Sequence, residues 1–176
     1  MKLSIIIPCF NEVRTIEKII EKIHLVQGIN KEIILVDDFS NDGSRELIQT
    51  KLKNKIDTLI LNEKNYGKGY SIIQAKKKIT GDIVIIQDAD LEYDPNDYKK
   101  LIDPIVNNRS NVVYGSRVLG NNRYLSKKFS SIYRIFFNHI LTIFSNILNS
   151  QNLTDAHTCY KVIKRDIFDK IYLEEF

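Results

Sequence analysis

Apolar positions gather into five short runs along the chain: Leu3 to Pro8, Glu32 to Asp37, Thr58 to Leu61, Asp82 to Gln87 and Asn111 to Tyr114. Most are unbroken Ile/Val stretches rather than alternating ones, the pattern of strands buried on both faces of a parallel sheet. Between them the apolar spacing becomes helical. Val13, Ile16, Ile19, Ile20, Ile23 and Val26 predict a first helix, with Asn11 placed as its N-cap. Ser44 to Leu52, Tyr70 to Lys78 and Pro95 to Val106 fill the next three gaps, and Pro95 suits the first turn of its helix. Such alternation of strand and helix predicts right-handed crossovers and an α/β fold, an open and mostly parallel sheet flanked by helices. Ligands of such sheets bind beyond the carboxyl ends of the strands, so the residues just after each strand carry the most information about function.

Past Gly115 the pattern changes. Phe129, Ile132, Tyr133, Phe136, Ile140, Ile143, Phe144 and Ile147 form one stripe at helical spacing, which predicts a long amphipathic helix or two shorter ones. Two uses of the stripe stay open. It packs as core, or it rests on a membrane surface with Lys127, Lys128 and Arg134 beside Phe129, Phe136 and Phe137.

The chain has 176 residues, 43% of them hydrophobic and 27% charged, which fits one soluble globular domain and neither the polar mix of disorder nor a membrane span. A net charge of +4 with dispersed lysines gives no support to nucleic-acid binding. Cys9 and Cys159 are the two cysteines and have no metal-ligand spacing, and the first residues do not read as a secretory signal. A reducing cytoplasm is the expected home. The oligomeric state is not legible.

Chemistry concentrates at the predicted strand ends. Asp88 and Asp90, one residue apart after the fourth strand, with Glu92 nearby, offer hard oxygen donors for Mg²⁺ or Mn²⁺, ions that commonly sit between carboxylates and a substrate diphosphate. A lone Asp-x-Asp is more often a solvated acidic turn, but this one follows a buried-type strand at the ligand edge. Asp37 and Asp38 end the second strand, one suited to an Asx-type turn into Ser40-Asn41-Asp42-Gly43 and the other to a base or ribose group. Asn65-Tyr66-Gly67-Lys68-Gly69 opens a helix where Lys68 can face phosphate, although a turn with a solvated lysine is the commoner use of such a segment. Arg117 offers a guanidinium after the fifth strand, with a surface arginine equally expected. Asp155 and His157 would pass as polar surface on pattern alone.

Taken in order, Ser4 to Glu12, Glu32 to Ser44, Asn65 to Gly69, Gln87 to Pro95, Val112 to Arg117 and Thr154 to Lys161 resemble the family 2 glycosyltransferases, most closely the polyprenyl- or dolichol-phosphate hexosyltransferases. The resemblance implies the Rossmann-like glycosyltransferase A fold. It divides the chain into a nucleotide-sugar and metal-binding half, 1–117, and an acceptor-side half, 118–176, shorter than the family pattern, which continues with another strand and a basic motif. By the same resemblance Pro8, Phe10 and Glu12 line the base and ribose pocket, and Val36 and Asp38 hold the nucleotide from the second strand. Asp88, Ala89 and Asp90 match the Asp-x-Asp element, with Asp90 and Glu92 at metal positions and Asp88 shared between metal and nucleotide. Lys68 and Arg117 would meet the donor, and Asp155 matches an acidic motif near the acceptor.

The activity implied is metal-dependent, inverting transfer of a hexose from a UDP- or GDP-sugar to a polyprenyl phosphate at the cytoplasmic face of a membrane, in cell-envelope glycan biosynthesis. If the acceptor is instead a saccharide hydroxyl, Asp155 is the candidate base. A nucleotide-sugar-binding domain without turnover is the alternative from another class. A phosphorylation-receiver-like domain is set aside, because its acidic pair follows the first strand, where this chain has Pro8-Cys9-Phe10-Asn11.

Overall fold

The computed structural model describes residues 1–116 and 129–171, with the backbone alone over 129–135. Six strands form one sheet in the order β3-β2-β1-β4-β6-β5: β1 (Lys2–Cys9), β2 (Asn30–Asp37), β3 (Thr58–Leu61), β4 (Ile83–Ile86), β5 (Val112–Tyr114) and β6 (Lys161–Lys164). β1 pairs in parallel with β2, Ile5 opposite Ile33 and Cys9 opposite Asp37, and with β4, Ile6 opposite Ile86. β2 pairs in parallel with β3, and β4 pairs antiparallel with β6. The open, mostly parallel sheet read from the sequence is therefore present. β6 is an addition to it, inserted between β4 and β5.

Side chains alternate across a strand, so an all-apolar strand needs cover on both faces. Ile6, Ile34, Val36, Val84 and Ile163 meet Ala75 and Ile79 at and just after α3 (Lys68–Lys76), and Phe168 of α6 (Arg165–Phe168). Ile5, Ile7, Ile33, Leu35 and Ile85 point the other way and are equally buried. α1 (Ile16–Leu25) buries Ile16, Ile19, Ile20 and Ile23, and α4 (Tyr98–Val106) buries Tyr98, Leu101 and Ile105. Right-handed crossovers carry β1-α1-β2-β3 outward along one face and return the chain through α3 on the other to reach β4. This reversal puts the crevice between the carboxyl ends of β1 and β4.

Three helices begin elsewhere than expected: α3 at Lys68 rather than Tyr70, and α1 and α4 later than their patterns suggest. α1 starts at Ile16, and Asn11 does not cap it: Asn11 has φ 58°, and its Oδ1 accepts from Asn41 N at 2.9 Å. The predicted helix from Ser44 is α2 (Ser44–Leu47), running on through a π-helical turn, Ile48–Leu52. Before α4, Pro95 opens a short 3₁₀ turn that Asp94 caps from its side chain.

The chain divides into two compact units, Met1–Val113 with the chain from Val162 onward, and Tyr114–Lys161. The last strand and helix therefore cluster with the first unit. In the second unit the predicted amphipathic segment is one helix, α5 (Phe129–Asn149). Its polar side is the bonded one: Asn146 Nδ2 donates to Leu153 O at 2.8 Å, and Ala156 N donates to Thr142 Oγ1 at 3.2 Å. Phe136, Phe137, Leu141, Ile143, Phe144, Ile147 and Leu148 are exposed. No helix among the described residues is long and apolar enough to cross a membrane.

At the opposite edge from the strand carboxyl ends, Glu32 is buried and accepts from Lys2 Nζ (2.5 Å), Ser4 Oγ (2.6 Å), Thr80 N (2.7 Å) and Thr80 Oγ1. Gly81 passes so close that a Cβ there would lie 2.5 Å from Ser4 Oγ. Burial works against the charged carboxylate, but the bonds from Lys2, Ser4 and Thr80 outweigh it and bring its pKa down to about 2 from 4.5. A depressed folded pKa contributes stability that is present above 4.5 and lost as pH falls toward 2, on the order of 2 to 3 kcal/mol. Urea unfolding at pH 6 and at pH 2.5 is expected to show that loss in the native chain, and Glu32→Gln, less stable at pH 6, to show a correspondingly shallower pH dependence.

Candidate active site

Because β1 to β4 are parallel, the loops that leave them open onto one edge. Those loops are cross-tied. Glu12 N donates to Ser44 Oγ (2.8 Å), Asn11 N to Ser40 Oγ (3.0 Å) and Val13 N to Asp42 Oδ2 (3.1 Å). Burial raises the Asp42 pKa somewhat, but the Ser44 hydroxyl and amide and the Val13 amide hold it below the usual carboxylate range. Three bulky or polar residues in these loops, Asn11, Phe39 and Leu91, have positive φ values of 58°, 65° and 64°. Left-handed backbone costs roughly 1 to 2 kcal/mol for an L-residue with a Cβ, and such strain gathers where a ligand site fixes the chain.

Of the proposed pocket residues, Pro8 is half-buried, Glu12 is half-buried and bonds Thr15 Oγ1 at 2.6 Å, and Phe10 is 44% exposed. Phe39 and Tyr66, which pattern alone did not single out, are exposed on the loops after β2 and β3, and Tyr66 stacks on Tyr70 with centroids 4.3 Å apart. An aromatic placed directly after a strand is the signal that could have found them. Cys9 between these loops is inert: burial first, then the charges of Asp37, Glu12 and Asp42, push its thiol far up.

Val36 lies in the core cluster facing α3, fully buried, so its side chain has no surface to give a nucleotide. Ala89 is also buried, leaving only its backbone for a ligand. Neither aspartate after β2 is free. Asp37 bonds Arg45 Nε through Oδ2 at 2.5 Å and makes a long Asx-type contact with Ser40 N at 3.4 Å. Asp38 accepts from Asn62 Nδ2 (2.7 Å), Tyr66 N (3.0 Å) and Gly67 N (2.7 Å), and so builds the β3–α3 loop.

That loop needs its glycine. Gly67 has φ 87° and ψ 166°, a region open essentially to glycine alone. Gly67→Ala is expected to cost about 1 to 3 kcal/mol in denaturant unfolding. It should also loosen the Asp38 anchor, read as weaker nucleotide binding in the same preparation.

After β4, buried Gln87 accepts from Tyr98 OH at 2.9 Å and donates through Nε2 to Asp88 O at 2.9 Å, clamping the chain just where the Asp-x-Asp begins. Asp88 is paired with Lys68 across the edge. Asp90 is exposed, and its Oδ1 accepts from Glu92 N at 2.9 Å. Among the described residues no three acidic, histidine or cysteine side chains are already gathered into a metal-binding group. The turn at Leu91 brings the Glu92 amide to Asp90.

In the second unit Asp155 and Thr158 are buried, Thr154 Oγ1 donates to Ser116 Oγ at 2.8 Å, and Gly115 packs so closely on Tyr160 that a Cβ would lie 2.8 Å from that residue's own. His157 is exposed. Arg117 lies outside the described residues, as do Lys127 and Lys128.

A model of the family "glycosyl transferase family 2" matches residues 4–172, nearly the whole chain. The chain belongs to that family. A relative in Pyrococcus furiosus, a dolichol-phosphate mannosyltransferase, is 37% identical over 66% of this chain and 33% of its own. An undecaprenyl-phosphate 4-deoxy-4-formamido-L-arabinose transferase of Yersinia pestis is 37% identical over 57% of this chain and 32% of its own. The chain thus spans about a third of the length of these curated relatives. Among solved structures, glucosyl-3-phosphoglycerate synthase from Mycobacterium tuberculosis, determined with Mn²⁺, uridine diphosphate and glucosyl-3-phosphoglycerate, aligns with TM-score 0.69. It is 19% identical and covers 94% of this chain and 57% of that one, which fixes the fold as that of nucleotide-sugar transferases. TarS from S. aureus aligns with TM-score 0.55 at 26% identity, over 64% of this chain and 21% of its own.

Proposed function

We propose that this chain is the donor-binding catalytic region of a metal-dependent, inverting hexosyltransferase that uses a UDP- or GDP-sugar and delivers the sugar to a polyprenyl phosphate at the cytoplasmic face of a membrane. The observation that carries it is the family match over strands whose carboxyl ends bring Asp88, Asp90 and Lys68 to one edge. The acceptor class rests on the two relatives, whose names specify dolichol phosphate and undecaprenyl phosphate.

The donor set fits Mg²⁺ or Mn²⁺. Two carboxylate side chains, not a closed cage, suit an ion that takes the rest of its shell from a diphosphate and water. Asp88 and Asp90 would hold it, and when bound it would neutralise charge developing on the diphosphate as the sugar leaves. Lys68 adds a second cation at the same edge, with Arg117 as a further candidate. Gln87 fixes the Asp88 backbone, and the exposed aromatics Phe10, Phe39 and Tyr66 offer flat surfaces to a base. A phosphate acceptor is already anionic and needs no base. For a saccharide hydroxyl, Asp155 would be the group to take the proton.

Calorimetric titration with UDP and with GDP, each with Mn²⁺ and with chelator, tests this reading. Metal-dependent binding of one nucleotide supports it and identifies the base. Binding of neither removes it. Binding without transfer to a polyprenyl phosphate, in the protein that contains this chain, would favour a domain that holds nucleotide-sugar without turnover.

A further inference from the structure

The pairing of Lys68 with Asp88 joins two elements that are not neighbours. Lys68 is the first residue of α3, after β3, and Asp88 follows β4. β2 and β1 lie between those strands in the sheet. At the usual strand spacing β3 and β4 are about 14 Å apart, so the ion pair reaches over the carboxyl ends of both intervening strands. It therefore spans the crevice where the nucleotide is proposed to sit.

Both ends are held from behind. Gly67 N is bonded to Asp38, which fixes the start of α3, and Gln87 grips the Asp88 carbonyl. The side chains themselves are partly open to water, 43% for Lys68 and 17% for Asp88. An ion pair partly open to water is weakly held and easily exchanged. A divalent ion on Asp88 must compete with the ammonium for the same oxygens, and the two cations repel. A diphosphate reverses the conflict, because it offers the released ammonium another anion and the metal its missing ligands.

We propose that Lys68 is the resident counter-ion of Asp88 in the free protein, so that divalent metal and nucleotide diphosphate bind together and not one before the other. This rests on the donor-site reading above. Before metal and nucleotide bind, Lys68 neutralises Asp88, which limits metal binding alone. With nucleotide present it swings from carboxylate to phosphate. By linkage, metal must raise nucleotide affinity by the factor that nucleotide raises metal affinity, and Lys68 sets part of that factor.

The test is Mn²⁺ binding followed by electron paramagnetic resonance, without nucleotide and with saturating UDP or GDP, in the native chain, Lys68→Met and Lys68→Arg. Lys68→Met is expected to bind Mn²⁺ alone roughly five-fold more tightly, the scale of a lost exposed ion pair plus a removed like charge. Its gain in Mn²⁺ affinity on adding nucleotide should shrink. Lys68→Arg should stay near the native values, and Asp88→Asn should lose the difference between Lys and Met at position 68. Equal affinity of the native chain and Lys68→Met for free Mn²⁺, with nucleotide-dependent binding in both, overturns the counter-ion role and leaves the donor site standing. No Mn²⁺ binding by any form under any condition overturns both.

Discussion

Arg45→Met is expected to destabilise the first unit by about 3 to 5 kcal/mol, the cost of leaving a buried charge without its partner. Asp37 is fully buried at the end of β2, and its Oδ1 has no hydrogen-bond partner among the described residues. The rest of the carboxylate is held chiefly by Arg45, whose Nε is 2.5 Å from Oδ2 and whose Nη2 also donates to Asn62 O at 2.6 Å. Removing the guanidinium strands a carboxylate in the core and leaves the Asn62 carbonyl short of a donor. The Arg45 side chain is 26% exposed, so water can partly take its place and the lower end of the range is expected. Urea unfolding of the purified chain checks the figure. Arg45→Met combined with Asp37→Leu should recover much of the loss, since an apolar pair of similar size needs no charge balance. If the single and double variants are equally unstable, the damage lies in the packing of α2 and not in the charge.

Most of the sheet was legible because β1, β2 and β4 carry Ile/Val-rich runs, and burial on both faces follows from an unbroken run, while the shorter β3 is apolar but only half-buried. β6 was not. Its apolar content is only Val162-Ile163 between two lysines, and it becomes a strand by adding antiparallel to β4, nearly eighty residues earlier. No local signal encodes that partner. The α5 stripe showed a helix but not which side faces out. Asn138, Thr142 and Asn146 look like solvent residues by type, yet Thr142 and Asn146 bond the backbone of 153–156 while Phe144, Ile147 and Leu148 are exposed.

The candidate site follows the same division. Strand-end position was readable, since a parallel sheet brings all its carboxyl ends together. Hydrogen-bond ownership was not. Asp38 looks identical to Asp37 in sequence, but one serves the β3–α3 loop and the other Arg45. Asn11 has the chemistry of a helix cap and instead ties two loops, because its left-handed backbone turns it toward Asn41. That the Leu91 turn would bring the Glu92 amide to Asp90 was equally hidden. The Lys68–Asp88 pair depends on two loops that meet only after the sheet has formed.

Asp90→Asn is expected to abolish metal-dependent nucleotide binding in calorimetry and to lower transfer in the intact protein by roughly a hundred- to a thousand-fold, the scale on which one charge-stabilising group acts in a transition state. Asparagine keeps the Oδ1 acceptor for Glu92 N, so the turn survives and the fold should unfold at the native urea midpoint. What it removes is a negative charge on an exposed side chain that has little other structural duty. Glu92→Gln serves as the comparison, testing whether the other carboxylate of this turn shares the ion. Asp155→Asn addresses the acceptor side separately, and should leave nucleotide binding intact whether or not it slows transfer. An unchanged Mn²⁺ response in Asp90→Asn would take Asp90 out of the site. A large loss in Glu92→Gln would mean that bound metal draws Glu92 in, closing the Asp90–Leu91–Glu92 turn around the ion as the donor binds.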